Sequence, residues 1–189
     1  NGGNNSNQQI TFKDKQFEKM IQKELDKEVI YKSDLSEISG IMIAADRVLG
    51  LSGGGHKDKS VVLFGFDSFE YDDVRYTEFG TIKTLEDLEN FPKLTSLRIY
   101  LQPNIDFNTI PNRDKITNLG LSQNKISDLG FLGGFDRLLY LTMSSNSIKD
   151  LKGHENVPTL KRLGLNSNDV ADISTLSNFK DLEYLDLTY

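Results

Sequence analysis

The sequence contains no cysteine, only two histidines and no long apolar run. Without thiols the chain can form neither disulfides nor thiolate metal sites, and a cysteine nucleophile is excluded. Two histidines, His56 and His154, are too few for a multi-histidine zinc site. Because a membrane-spanning helix needs about 20 consecutive apolar residues, we expect no membrane insertion of the mature chain.

Positive charge is also scarce. The chain carries 22 lysines and arginines against 28 acidic residues, which gives a formal net charge of -6. Nucleic acids and anionic bilayers are attracted mainly by a basic surface field. We therefore expect no nucleic-acid partner.

The common catalytic and ligand-binding motifs are missing as well. The loop Gly53–Lys57 lacks the GxxxxGK[ST] spacing of a phosphate-binding loop, and no GxSxG nucleophile elbow is present. An acidic cluster lacks the glycine-centred spacing of a calcium loop; it consists of Asp67, Glu70, Asp72 and Asp73. We predict that the chain is not an enzyme and has no catalytic residue, cofactor or metal site.

What the chain does contain is a regular repeat. Five apolar residues lie 22 positions apart, and each opens an LxxLxL pattern: Leu94, Ile116, Leu138, Leu160 and Leu182. Alternate residues of the LxL part point inward from a short strand, and stacked neighbours share one apolar core. The spacing therefore predicts one short strand per repeat over residues 82–189.

An asparagine recurs three residues after each of the three central LxL patterns, at Asn124, Asn146 and Asn168. A buried amide at a turn can bond backbone groups of its own coil and of the next one. We predict that these three asparagines form a structural ladder.

The segment before the repeats is less regular. Residues 1–10 are polar and predict a flexible leader. Residues 11–34 contain an amphipathic helix with Asp14 as its N-cap, which we expect to cap the apolar end of the repeats.

The distance from Ile38 to Leu94 does not fit a whole number of repeats. The two residues lie 56 positions apart, so either one repeat carries a long insertion or two repeats share a shorter one. We favour the first, and predict a degenerate first repeat with an irregular insertion over residues 35–81, containing two strands in a hairpin or coil extension. The insertion either contacts a ligand or covers the flank of the scaffold.

The repeat beginning ITNLGLSQNKISDLGFLGGFDR at Ile116 resembles those of internalin-type bacterial leucine-rich-repeat proteins. The resemblance covers about residues 82–189. It implies an α/β leucine-rich-repeat solenoid with a curved parallel sheet on the concave side, short turns on the convex side and a helical N-terminal cap. It also implies that the concave face binds host or matrix proteins.

The repeat register indicates which side chains face outward from the sheet. One column contains Ser96, Asn118, Tyr140, Arg162 and Tyr184, so an arginine lies between two tyrosines. Tyrosine and arginine are enriched among interface hot spots. We predict that the partner-binding residues are Arg98, Tyr100, Tyr140, Arg162, Tyr184, Asp186 and Tyr189.

Together with this resemblance, the patterns favour a bacterial cell-surface or secreted module, lipid-anchored through a removed N-terminal segment, that recognises or adheres to a protein. The alternatives are a cytoplasmic regulatory scaffold that binds an enzyme and a carbohydrate-binding surface module. The sequence ends in mid-repeat at Tyr189. From this we expect either a truncated chain or end-to-end self-association through an uncapped end.

Overall fold

The computed structural model describes residues 7–52 and 61–189. Two helices come first, α1 (Lys15–Leu25) and α2 (Lys32–Leu35). Five strands follow before the regular repeats: β1 (Gly40–Ala44), β2 (Arg47–Ser52), β3 (Val61–Phe64), β4 (Ser68–Tyr71) and β5 (Val74–Tyr76). The repeats supply β6 (Ser96–Tyr100), β7 (Asn118–Gly120), β8 (Tyr140–Thr142), β9 (Arg162–Gly164) and β10 (Tyr184–Asp186).

Helix α1 begins directly after Asp14. The Asp14 carboxylate accepts hydrogen bonds from the backbone N–H groups of Gln16 at 3.0 Å and Phe17 at 3.1 Å, which satisfies two amides at the helix start. The Phe17 ring contacts the rings of Phe12 and Phe91, at centroid distances of 6.1 and 6.2 Å. One face of α1 is therefore packed into the core that also contains the repeats.

A buried carboxylate connects the start of α1 to the first regular repeat. Asp87 accepts from the backbone N–H groups of Lys13 and Asp14, both at 2.8 Å, and is 1% exposed. Burial raises the pKa of the Asp87 carboxyl, while the two backbone hydrogen bonds act in the opposite direction. The second oxygen of Asp14 accepts from the Lys83 N–H at 2.9 Å.

The last residues of the predicted leader, residues 8–10, contact the rest of the chain. The Ile10 N–H donates to the Ile30 carbonyl and the Lys32 N–H donates to the Gln8 carbonyl, each at 2.9 Å. Ile10 is also buried. These contacts hold the segment against residues 30–32, because an apolar side chain in a polar run gains by burial. Residues 1–6 lie outside the described part of the chain.

The main sheet has the strand order β10-β9-β8-β7-β6-β1-β2. The neighbouring pairs from β1 through β6 to β10 are parallel, and β2 pairs antiparallel with β1 at the edge. Strand β1 pairs directly with β6, with Ile41 opposite Leu97 and Ile43 opposite Ile99. The additional residues of the first repeat therefore lie, in sequence, between two adjacent parallel strands of the sheet.

Short 3-10 segments return the chain from one strand to the next. They are Glu86–Asn90, Phe107–Thr109, Arg113–Lys115, Gly130–Leu132, His154–Asn156 and Ser174–Asn178. Four of them are preceded by an aspartate whose carboxylate accepts the backbone N–H two residues later, at 3.0 Å for Asp106, 2.6 Å for Asp128, 2.7 Å for Asp150 and 2.9 Å for Asp172. These Asx-type contacts start each turn at the same repeat position.

The asparagine side chains join successive repeats by hydrogen bonds to buried backbone groups. The side-chain oxygen of Asn146 accepts from the N–H groups of Asn124 and Ile126, both at 3.0 Å. Its side-chain nitrogen donates to the carbonyls of Leu121 at 2.9 Å and Met143 at 3.0 Å. Asn124 and Asn168 make equivalent contacts one repeat before and one repeat after.

The insertion contains four strands where the sequence predicts two, because β2 joins the edge of the main sheet and three further strands follow it. Strands β3, β4 and β5 form a separate antiparallel sheet in the order β3-β4-β5, which we call the insertion sheet. The additional hairpin arises at Asp72 and Asp73, which have φ values of 52° and 62°. Two consecutive left-handed residues form the tight turn whose twist matches paired strands. This turn joins β4 to β5.

Candidate functional site

The strand pairing aligns outward side chains of the main sheet into columns. Opposite residues in neighbouring strands are Ser96, Asn118, Tyr140, Arg162 and Tyr184 in the first column. The intervening leucines of β6 to β9 point to the core and are buried. This order is the one that the repeat predicts, because side chains alternate along each strand and the repeat length is constant.

Arg162 lies between two tyrosine rings in this column. Its guanidinium carbon is 6.0 Å from the centroid of the Tyr140 ring and 5.8 Å from that of the Tyr184 ring. These distances are within the range of cation–π attraction, about 6 Å. The rings remain accessible, with Tyr140 39% exposed and Tyr184 54% exposed. We call these three residues the aromatic stripe.

The second column contains Arg98, Gly120, Thr142, Gly164 and Asp186. A Cβ atom at Gly120 would lie 3.2 Å from Cγ of Arg98, so the glycine leaves room for the arginine stem across the strand. Asp186 accepts from the N–H of Thr188 at 3.0 Å and from its hydroxyl at 2.8 Å. These hydrogen bonds lower the pKa of the Asp186 carboxyl, the backbone one most strongly.

Tyr100 is not available to a partner. It follows the outward direction that the register predicts, but it is only 8% exposed because the insertion sheet covers it. Its ring stacks on that of Phe69 in β4, with centroids 4.9 Å apart and planes inclined by 9°. The prediction of Tyr100 as a partner-binding residue is therefore corrected to a packing role.

Tyr189 also lies outside the two outward columns. It follows β10 at the repeat position of Leu101, Gln123 and Ser145, all of which have positive φ and are buried. A left-handed residue turns the chain out of the strand direction, so its side chain leaves the alternating pattern of the sheet. Tyr189 itself is fully exposed. Its predicted role beside the stripe has no support from the register.

A groove that the sequence does not predict lies between the insertion sheet and the main sheet. Its volume is about 670 Å³, and its lining includes Arg98 and Asn118 on one side and Tyr71, Val74 and Tyr76 on the other. The excess length of the first repeat indicates an insertion, but no local pattern indicates where that insertion packs. The groove adjoins the aromatic stripe, because Asn118 is the neighbour of Tyr140 in the first column.

The remaining chemically active side chains of the described chain are dispersed. Within residues 7–52 and 61–189, no group of three or more histidine, aspartate or glutamate side chains could hold a metal ion. His154 is buried, and its Nδ1 lies 2.8 Å from the Leu151 carbonyl oxygen. The glycine loop Gly53–Lys57 lies outside the described residues.

Comparison with known proteins addresses the fold. No protein-family model and no curated protein matches this chain. Among solved structures, the internalin inlF from Listeria monocytogenes aligns with 92% of this chain at 24% sequence identity and a TM-score of 0.54. An internalin C2 from the same organism aligns over 94% of both chains at 19% identity and a TM-score of 0.45.

The chain spans 56% of the length of inlF. At this identity the likeness concerns the fold alone, and together with the strand order it shows an internalin-type, leucine-rich-repeat α/β fold. As for membranes, each helix in the described ranges is too short or too polar to reach across a bilayer.

Proposed function

We propose that this chain is a non-catalytic protein-binding module that holds its partner on the outward face of β7 to β10. The observation that carries the proposal is the aromatic stripe, in which an exposed arginine is flanked by two exposed tyrosines on adjacent strands. Tyrosine and arginine dominate interface hot spots because they combine a large contact area with directional hydrogen bonds.

The surroundings of the stripe favour contact with a macromolecule. Each strand below it is fixed by parallel pairing to its neighbours, and the asparagine contacts hold the following turns. A rigid base reduces the entropy lost when a partner binds. Beside the stripe, Gly120 and Gly164 have no side chains that project from the second column. A protein surface can therefore approach the backbone closely there.

We further propose the wider architecture that this function requires. The parallel strands belong to a curved solenoid, α1 caps its apolar N-terminal end, and residues 35–81 form a first repeat whose insertion sheet limits the binding face on one side. Internalins provide the precedent for the fold. On the same basis we propose a cell-surface or secreted location, with a protein ligand rather than nucleic acid, and a surface role in recognition or adhesion.

Peptide selection tests the proposed face. A phage-displayed peptide library is selected against the immobilised full chain, and the enriched peptides are synthesised. Their affinity is then measured for the parent and for a variant combining Tyr140→Ala, Arg162→Ala and Tyr184→Ala. Because hot-spot truncations often cost about 2 kcal/mol or more each, we expect a loss of at least about 100-fold.

The control variant combines Tyr31→Ala and Arg137→Ala, which removes an exposed tyrosine and an exposed arginine outside the sheet face. We expect it to bind within about twofold of the parent, as substitutions outside an interface do. Peptides that bind the triple variant as tightly as the parent would show that the stripe is not the binding site.

A further inference from the structure

Arg162 presents its guanidinium group on the outward face of the main sheet. The guanidinium contacts the rings of Tyr140 and Tyr184, and within residues 7–52 and 61–189 the Arg162 side chain forms neither a hydrogen bond nor an ion pair. A guanidinium group carries five N–H donors in a planar fork that fits a carboxylate in a bidentate manner. The donors of Arg162 are therefore available to an incoming acceptor.

Within the described residues, no carboxylate of the two outward columns forms an ion pair with Arg162. The acidic residue of these columns is Asp186, opposite Gly164 on the next strand, and its carboxylate is bonded to the N–H and hydroxyl of Thr188. Arg98 lies three strands away, a distance of about 14 Å at the usual strand spacing. One isolated cation matches a single carboxylate better than a phosphate dianion, which is usually bound by several cations.

The two tyrosines also make the binding of a carboxylate to Arg162 more favourable. They flank the guanidinium on neighbouring strands and restrict its motion, so less side-chain entropy remains to be lost on binding. The rings displace water from two sides, and an ion pair is stronger where water is displaced. Both effects favour a carboxylate that arrives between the rings.

We propose that the partner presents an aspartate or glutamate side chain to Arg162, inserted between Tyr140 and Tyr184. This inference rests on the proposed function, since it specifies the chemistry that the same face recognises. The occupant is thus an acidic segment of a protein. Lysine at position 162 would keep the charge but lose the planar fork, so it would replace arginine only in part.

A double-mutant cycle tests the proposal. Peptides selected against the parent chain are synthesised with each acidic residue replaced by its amide, Glu by Gln or Asp by Asn. Affinities are measured by isothermal titration for the parent, Arg162→Gln and Arg162→Lys. In the parent, we expect one replacement to weaken binding about tenfold, in the range of close charge pairs at interfaces. Against Arg162→Gln the same replacement should change affinity by less than about twofold. Against Arg162→Lys, the effect of the replacement should lie between its effects on the parent and on Arg162→Gln.

The outcomes separate the two proposals. If the triple alanine variant loses binding but the acidic replacement acts equally on the parent and on Arg162→Gln, the face binds the peptides and the carboxylate assignment is wrong. If the triple variant keeps binding, the face itself is wrong. A phosphoserine at the acidic position that binds more than about tenfold tighter than glutamate would overturn the choice of carboxylate. Thermal unfolding of each variant checks that the substitution of these exposed residues leaves the fold intact.

Discussion

Asn146 offers the sharpest test of how the repeats are held together. It is 1% exposed, and its amide serves backbone groups of two successive turns. Replacing it with alanine removes both the acceptor and the donor at once. Three buried backbone groups then lose their hydrogen-bond partner: the N–H groups of Asn124 and Ile126 and the carbonyl of Leu121. The Met143 carbonyl keeps a contact, because Asn168 also donates to it at 2.9 Å.

The expected magnitude follows from these three groups. An unsatisfied buried backbone group costs about 1 to 1.5 kcal/mol at the lower end of its range, where the structure relaxes or admits water. Asn146→Ala should therefore lower the free energy of unfolding by about 4 kcal/mol. For a protein of this size, that corresponds to a fall in Tm of about 8 to 16 °C.

Urea unfolding followed by circular dichroism measures this loss, and two neighbours calibrate it. Ser147→Ala changes an exposed side chain of the same turn. Its free energy of unfolding should stay within about 0.5 kcal/mol of the parent. Asn168→Ala removes an equivalent but half-buried amide. Because water can replace the lost contacts there, we expect a loss of about 2 kcal/mol. If Asn146→Ala were no more destabilising than Ser147→Ala, the amide contacts would contribute nothing to stability and the reasoning would fail.

Three further substitutions can be measured in the same way. The buried Nε2 of His154 has no partner in the described structure. His154→Leu should therefore stabilise the chain by about 1 kcal/mol, and a loss of stability would contradict this. In Asp87→Asn, one of two buried N–H groups would meet a donor instead of an acceptor. We expect a loss of about 2 kcal/mol, and an unchanged unfolding midpoint would refute that role. At Gly153 φ is 107°, and a Cβ would lie 2.6 Å from the Leu129 carbonyl oxygen. Gly153→Ala should cost about 3 kcal/mol, and Gly133→Ala, in open space, is the control that should not.

The repeated part of the fold follows from the sequence because two periodicities determine it. The 22-residue spacing places equivalent residues on adjacent strands, and alternation within LxL decides which of them face the core. Leu97, Leu119 and Leu141 are buried at matching positions, while Tyr140 and Arg162 face outward. The start of α1 is equally local, since the carboxylate of its N-cap bonds residues two and three positions ahead.

The insertion sheet could not be derived in the same way, because its position depends on contacts between residues far apart in sequence. Phe69 stacks on Tyr100, and the core they share with Met42 and Ala44 lies on the outward side of the main sheet. A repeat register predicts the direction of a side chain but not whether another element covers it. This is why the register assigns Tyr100 to the binding face together with Tyr140, although the first is covered and the second is exposed.

Gln123 attaches the insertion sheet to the main sheet beside the binding face. Its side-chain nitrogen donates to the carbonyls of Gly65 at 3.0 Å and Ser68 at 2.7 Å, and the side chain is fully buried beneath the turn that joins β3 to β4. The next two repeats have serines at the same position, Ser145 and Ser167, whose side chains are too short for such a contact. The insertion sheet is therefore anchored at the repeat of β7, and the outward face becomes accessible where the aromatic stripe begins, at Tyr140.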